Sequence, residues 1–142
     1  MTFRPAVLAA ALATFGTTLG AEAQIDPDDT GLGTKLGIEE QNNSGEVGTV
    51  TLFPHGRAAT LVVVRLESAP PGRAQPVDLY RGHACGAIDP KPAYELAPAT
   101  NGLSRTIVRA PQEKLLSGNY VLDVHAANVR TAREVACGEL HR

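Results

Sequence analysis

The chain has no tryptophan, one methionine, three tyrosines and three phenylalanines among its 142 residues. So few aromatics exclude a stacking platform for single-stranded nucleic acid, and a formal net charge of −2 gives no attraction to a phosphate backbone. Nucleic acid is therefore not an expected partner. Long hydrophobic runs are also missing: the apolar stretch around Ala6–Ala13 extends over about ten residues before Gly16 and Thr17 dilute it, against the roughly 20 needed to cross a bilayer. No transmembrane segment is expected. There are only two cysteines, Cys85 and Cys137, and no C-x-x-C pair of the kind that marks a dithiol redox centre. A Gly-rich phosphate loop, a nucleophile elbow and an internal repeat are all lacking, so the motifs offer no catalytic residue.

The first residues instead read as an export signal. Arg4 precedes Ala6-Val7-Leu8-Ala9-Ala10-Ala11-Leu12-Ala13, and Ala21-Glu22-Ala23 has the A-x-A form of a signal-peptidase site, so cleavage is expected after Ala23. No cysteine stands near that site to carry a lipid. Residues 1–23 are thus assigned to a signal peptide and the protein to a secreted or periplasmic location. Residues 24–44 read as a flexible acidic and polar segment, with Asp26-Pro27-Asp28-Asp29 and Glu39-Glu40-Gln41-Asn42-Asn43-Ser44 offering little to offset the entropy of ordering. Its acidic cluster does not match the spacing of an EF-hand loop.

Residues 45–142 read as one all-β domain. Glu46-Val47-Gly48-Thr49-Val50-Thr51-Leu52 alternates, Pro54-His55-Gly56 signals a turn, and Ala59–Leu66 is rich in β-branched residues, so these two strands form an expected hairpin. Further strands are expected at Pro76–Tyr80, Ser104–Val108, Asn119–His125 and Arg133–Leu140. A proline-containing loop is expected from Gly86 to Pro98, and one helical turn from Pro111 to Leu116 with Leu115 and Leu116 inward. Short strands separated by Gly and Pro turns predict an antiparallel β-sandwich. In an exported chain the even cysteine count favours a structural disulfide between Cys85 and Cys137 over a redox pair.

The order Gly45–Leu52, Ala69-Pro70-Pro71-Gly72, a strand leading into Cys85, Asn101-Gly102-Leu103-Ser104, Gly118–His125 and Ala136-Cys137-Gly138 resembles the copper/zinc superoxide dismutase superfamily. Gly118–His125 also resembles the related chordin-type (CHRD) domain. The resemblance covers about residues 45–140. It implies a Greek-key, immunoglobulin-like sandwich with a disulfide tying the loop at Cys85 to the last strand.

The departures bear on function. Where the family carries a His-x-His pair for copper, this chain has Asp78-Leu79-Tyr80, and His125 alone matches a copper-binding histidine. The segment between Cys85 and Tyr94 has no histidine, so the family's zinc site is absent. At the position of the family's substrate-guiding arginine stands Glu134, with Arg133 one residue earlier; a one-residue slip turns a side chain to the other face unless a bulge restores the register. Asp78, Tyr80, His83 and His125 are weak candidates for a remodelled cupric or zinc site. The favoured alternative makes His125 a buried remnant hydrogen-bonded to Asp78 or to backbone, with His83 in the loop beside the disulfide. The expected role is a non-enzymatic exported domain with no cofactor that binds an unknown protein or envelope partner; the alternative is a copper- or zinc-binding protein or a divergent dismutase-type oxidoreductase.

Overall fold

The computed structural model describes residues 33–126 and 129–141. The expected signal peptide and residues 24–32 of the expected flexible segment lie outside the described residues. Ten strands and one short helix follow in order: β1 Thr34–Glu40, β2 Val47–His55, β3 Ala59–Glu67, β4 Ala74–Gln75, β5 Val77–Ala84, β6 Ala87–Glu95, β7 Ala99–Thr100, β8 Leu103–Val108, α1 Gln112–Ser117, β9 Tyr120–His125 and β10 Glu134–Glu139.

Every pairing is antiparallel, in the order β4-β7-β8-β3-β2-β1-β10-β9-β5-β6. The sheet curls so that its two halves face each other. Val50, Leu52, Val62, Val64 and Val108 from one half share a buried cluster with Val77, Leu79, Leu122, Val124 and Ala136 from the other. Alternation explains the selection, because every second residue of a strand faces the same side. Leu115 of α1 is fully buried in that cluster and Leu116 packs against it, as the helical turn predicted from Pro111 to Leu116 requires. The fold is all-β and sandwich-like, with one disulfide.

Strand β3 leads across to the β5–β6 hairpin of the other half, the chain returns for β7 and β8, and β9 then lies back beside β5. That is a Greek-key return. The expected β2–β3 hairpin is present in full register from Val47↔Glu67 to His55↔Ala59. Its strand β2 runs through Pro54 and His55, so the turn falls one step later, at Gly56, whose φ of +69° suits a residue without a Cβ.

Two expectations are corrected. The segment expected to be flexible, 24–44, contains β1, so the sandwich begins at least eleven residues before Gly45. Thr34–Ile38 pair with β2, and Glu39 and Glu40 pair with β10, so this strand joins the two halves. Only Leu36 and Ile38 give it an apolar face, too short a pattern to read among so many polar neighbours; neighbours on both edges hold it instead. The expected loop 86–98 is largely β6, which carries Pro90 and Pro92. Proline removes a ladder donor and is tolerated where a strand has a neighbour on one side only, and β6 is the edge of its half, with register shifts against β5 around Tyr80.

Candidate functional site

The disulfide is built from the hairpin tip. Ala84 pairs with Ala87, leaving Cys85 and Gly86 as a two-residue turn, and Gly86 takes φ +81°. From this tip Cys85 bonds to Cys137 in β10, 52 residues away in sequence. A cleft of about 380 Å³ opens beside it, lined by Leu36, Gly37, Cys85, Cys137, Gly138 and His141 among others. None of the groups in the polar cluster described next lines this cleft.

That cluster lies on the outer face of β5, β9 and β10. Leu79, Leu122 and Val124 point into the core, so by alternation Asp78, Tyr80, Asp123 and His125 face the other way. In the β5–β9 ladder Asp78 stands opposite Asp123, and in the β9–β10 ladder His125 stands opposite Glu134. Asp78, Asp123, Tyr80 and His125 are all buried. The register shifts between Glu134 and Ala136, so Val135 and Ala136 both turn inward while Glu134 stays with the outer cluster.

Asp78 is 0% exposed and is satisfied by three donors. Arg130 donates through Nε to Oδ2 at 2.6 Å and through Nη2 to Oδ1 at 3.3 Å, and the Leu96 N–H donates to Oδ1 at 3.2 Å. Arg130 also lies 3.4 Å from Glu95. Such a forked guanidinium contact is among the stronger ion-pair geometries available to a carboxylate. The Asp78 carboxylate keeps the Arg130 pKa above its ordinary value, against a smaller opposing effect of burial. Burial raises the pKa of the Tyr80 hydroxyl, with Asp78 next in effect.

His125 is held by backbone. Its Nδ1 donates to the Ala132 carbonyl at 2.8 Å, which leaves Nε2 facing Asp123 Oδ2 at 3.3 Å. A neutral ring with the proton on Nδ1 would aim a lone pair at a carboxylate, so protonation is favoured. The Asp123 carboxylate accordingly raises the His125 pKa, while burial opposes it. Glu134 is pushed up to about 7, first by burial and then by the charge of Asp123. Asp123 Oδ1, His125 Nε2 and Glu134 Oε1 are buried without a hydrogen bond.

The four candidate ligands are not brought together. Asp78, Tyr80 and His125 share the outer face of neighbouring strands, but the Asp78 oxygens are engaged by Arg130. His83 is exposed on β5, not in a loop, and lies five residues from Asp78, beyond the first register shifts of the β5–β6 ladder. Among the described residues no three His, Cys, Asp or Glu side chains are arranged to hold a metal ion. Arg130 engages the Asp78 oxygens and His83 is exposed, so the four candidates do not form one ligand set. Of the two partners expected for His125, Asp78 or backbone, the structure has the backbone: Nδ1 bonds the Ala132 carbonyl, and Nε2 lies beside Asp123 and not Asp78. Arg133, one residue before Glu134, is exposed and donates to the Asn42 carbonyl.

Sequence reasoning missed Asp123, Glu95 and Arg130. Asp123 was available from spacing, since it precedes His125 by two positions on an alternating strand. Arg130 lies in the β9–β10 loop, where no periodicity says which strand it reaches. Compared with known proteins, the chain matches no protein-family model, no curated protein and no solved structure.

Proposed function

We propose that this chain is an exported, non-enzymatic, superoxide dismutase-like sandwich domain with a binding or structural role in the periplasm or extracellular space. The observation that carries the reading is the Asp78–Arg130 pair. At the position where the resembled family carries a copper-chelating histidine, a fully buried carboxylate is neutralised by a guanidinium. An ion pair there takes the place of electron-cycling chemistry, which needs an open site with several imidazoles. The A-x-A site after the apolar leader and the disulfide support export, because disulfides persist in oxidising compartments. Among the described residues no helix is long and apolar enough to cross a membrane.

The alternative of copper or zinc binding has one observation on its side, the unbonded Asp123, His125 and Glu134 atoms. Metal analysis of protein purified from its native compartment, with a superoxide assay, separates the two. Less than a tenth of an equivalent of copper or zinc and no dismutation are expected. Stoichiometric copper that is lost in His125→Ala would overturn the non-enzymatic reading.

A further inference from the structure

The charges of this domain are sorted between its two ends. One end is formed by the start of β1, the β2–β3 turn, the β8–α1 connection and α1. The register brings these together: His55 stands opposite Ala59 and Val108 opposite Thr60, whose hydroxyl donates to the Ala110 carbonyl at 2.7 Å. Gln112 of α1 donates to Thr34 Oγ1 at 3.1 Å and to the Leu52 carbonyl at 2.8 Å, so the helix closes this end over β1 and β2. Its Leu115 is buried in the core and its Lys114 is exposed.

Lys35, Arg57, Arg109 and Lys114 all stand exposed on these elements. Among the described residues, none of the four side chains has a hydrogen bond or ion pair. Residues 33–36, 53–60 and 108–119 contain one carboxylate, Glu113, so these four cations leave a local charge of +3 in a chain whose formal net charge is −2. On the facing half the same end carries Arg81, while Glu139 is engaged by His141 and the Cys85 N–H. The opposite end holds Glu40, Glu67, Glu95 and Glu134 at the strand ends, and there Arg130 and Arg133 are already bonded. The near-neutral total thus conceals a basic pole, whose summed field attracts anions.

Strands are spaced by roughly 4.8 Å, so β8 lies about 14 Å from β1 across the sheet. A partner that neutralises all four cations must repeat its anionic groups over that distance, which no small anion does. Binding to an anionic lipid surface draws on apolar side chains buried at the interface as well as on charge. The exposed large hydrophobics Val47, Leu103, Ile107 and Val129 all lie outside these turns and the helix. Single-stranded nucleic acid needs aromatic side chains for its bases, and residues 54–58 and 109–119 contain none. A linear polymer with a carboxylate on each repeat requires neither.

We infer that this basic pole docks an acidic polysaccharide, a chain of carboxylated sugars, through Lys35, Arg57, Arg109 and Lys114. The inference rests on the exported binding role proposed above and gives that role a chemical class of partner. Arg57 and Arg109 offer planar forks that match a carboxylate in two bonds, and the two lysines add point charges.

Titration of the purified chain with polygalacturonate at about 0.05 M salt, followed by backbone NMR and calorimetry, tests it. Amide shifts should be confined to the segments that carry Lys35, Arg57, Arg109 and Lys114, and affinity should fall as added salt screens the exposed charges. Arg57→Gln/Arg109→Gln should weaken binding about ten-fold or more, whereas Arg73→Gln at the opposite end should change it less than about two-fold. Equal urea midpoints for the variants and wild type report that the fold is kept. No binding by wild type, or an equal loss in Arg73→Gln, overturns the inference. Tighter binding to duplex DNA or to vesicles of anionic lipid overturns it too, because another class of partner would then fit the pole better. The N-terminal mass of protein recovered from its native compartment tests export by itself, so a failure of export and a failure of this binding are read in different experiments.

Discussion

Asp78 and Asp123 stand directly opposite each other on β5 and β9, and each is turned to a different basic side chain: Arg130 of the β9–β10 connection for Asp78 and His125 at the end of β9 for Asp123. Like charges paired across strands destabilise a sheet. Here the loop that follows β9 offsets both, because Arg130 reaches back to β5 and Ala132 fixes the ring of His125. The outer face of this half therefore depends on one short connection for its charge balance.

The first prediction follows from that dependence. Removing one partner of a fully buried pair costs about 3–5 kcal/mol because the other charge is left unpaired. Arg130 is nearly half exposed, so water recovers part of this and Arg130→Ala should cost about 2 kcal/mol. Asp78→Leu combined with Arg130→Met should be closer to wild type than Arg130→Ala alone, since no charge remains buried. Urea unfolding of the variants measures this; a cost below about 0.5 kcal/mol for Arg130→Ala would show the pair to be ornamental.

A second prediction concerns pH. Glu134 has a folded pKa of about 7, above its ordinary 4.5, so the folded state binds the proton more tightly than the unfolded chain. Its stabilising contribution is fully present below pH 4.5 and is lost as pH rises through 7. His125 acts in the same direction, because its folded pKa is also raised and its contribution disappears as pH rises past that value. Glu134 is only partly buried, so the combined loss should be about 1–2 kcal/mol between pH 5.5 and pH 8, well short of the full shift. Unfolding midpoints at the two pH values check it. Glu134→Gln should flatten most of the slope, and an unchanged slope in that variant would assign the titration elsewhere.

The disulfide supplies a third. Closing 52 residues of chain is worth about 4 kcal/mol in the chain-entropy account, a large share of the roughly 5–15 kcal/mol of a typical domain. Reduction should lower the unfolding midpoint sharply, and a Cys85→Ser/Cys137→Ser variant should reproduce the loss without reductant. A second free-thiol count on native protein checks the premise, because two reactive thiols there would remove it.

The parts of the fold that were legible in the sequence are those where alternation is strong. Val47–Leu52 and Asn119–His125 announce strands because apolar residues recur at every second position over a buried face, and Ala59–Leu66 because it is a β-branched run. Strand β1 was hidden because a Gly and several charged residues dilute its pattern, and β6 because Pro90 and Pro92 read as a loop. In both cases neighbouring strands override local preference. For the cluster, period two places Asp78 with Tyr80 and Asp123 with His125, but only the folded chain shows that Arg130 reaches Asp78 across 52 residues.

The last prediction tests whether the frame around Asp78 can be made to hold copper. Asp78, Tyr80 and His125 already share the outer face of adjacent strands, so Asp78→His with Tyr80→His would set three imidazoles on it. In wild type the place is occupied by a carboxylate that Arg130 engages through two of its nitrogens. The double variant leaves Arg130 facing an imidazole, so Arg130→Gln should be added to remove a cation that would repel the metal. Copper affinity of this triple variant, measured by competition titration, should exceed that of wild type by orders of magnitude. Dismutation should remain slow, because Glu134 supplies no cation to draw in an anionic substrate. Tight copper binding by wild type that persists in Asp78→Ala and Tyr80→Ala would show that these strands do not correspond to the family's copper-binding positions, and the resemblance would then have to be withdrawn for this half of the sandwich.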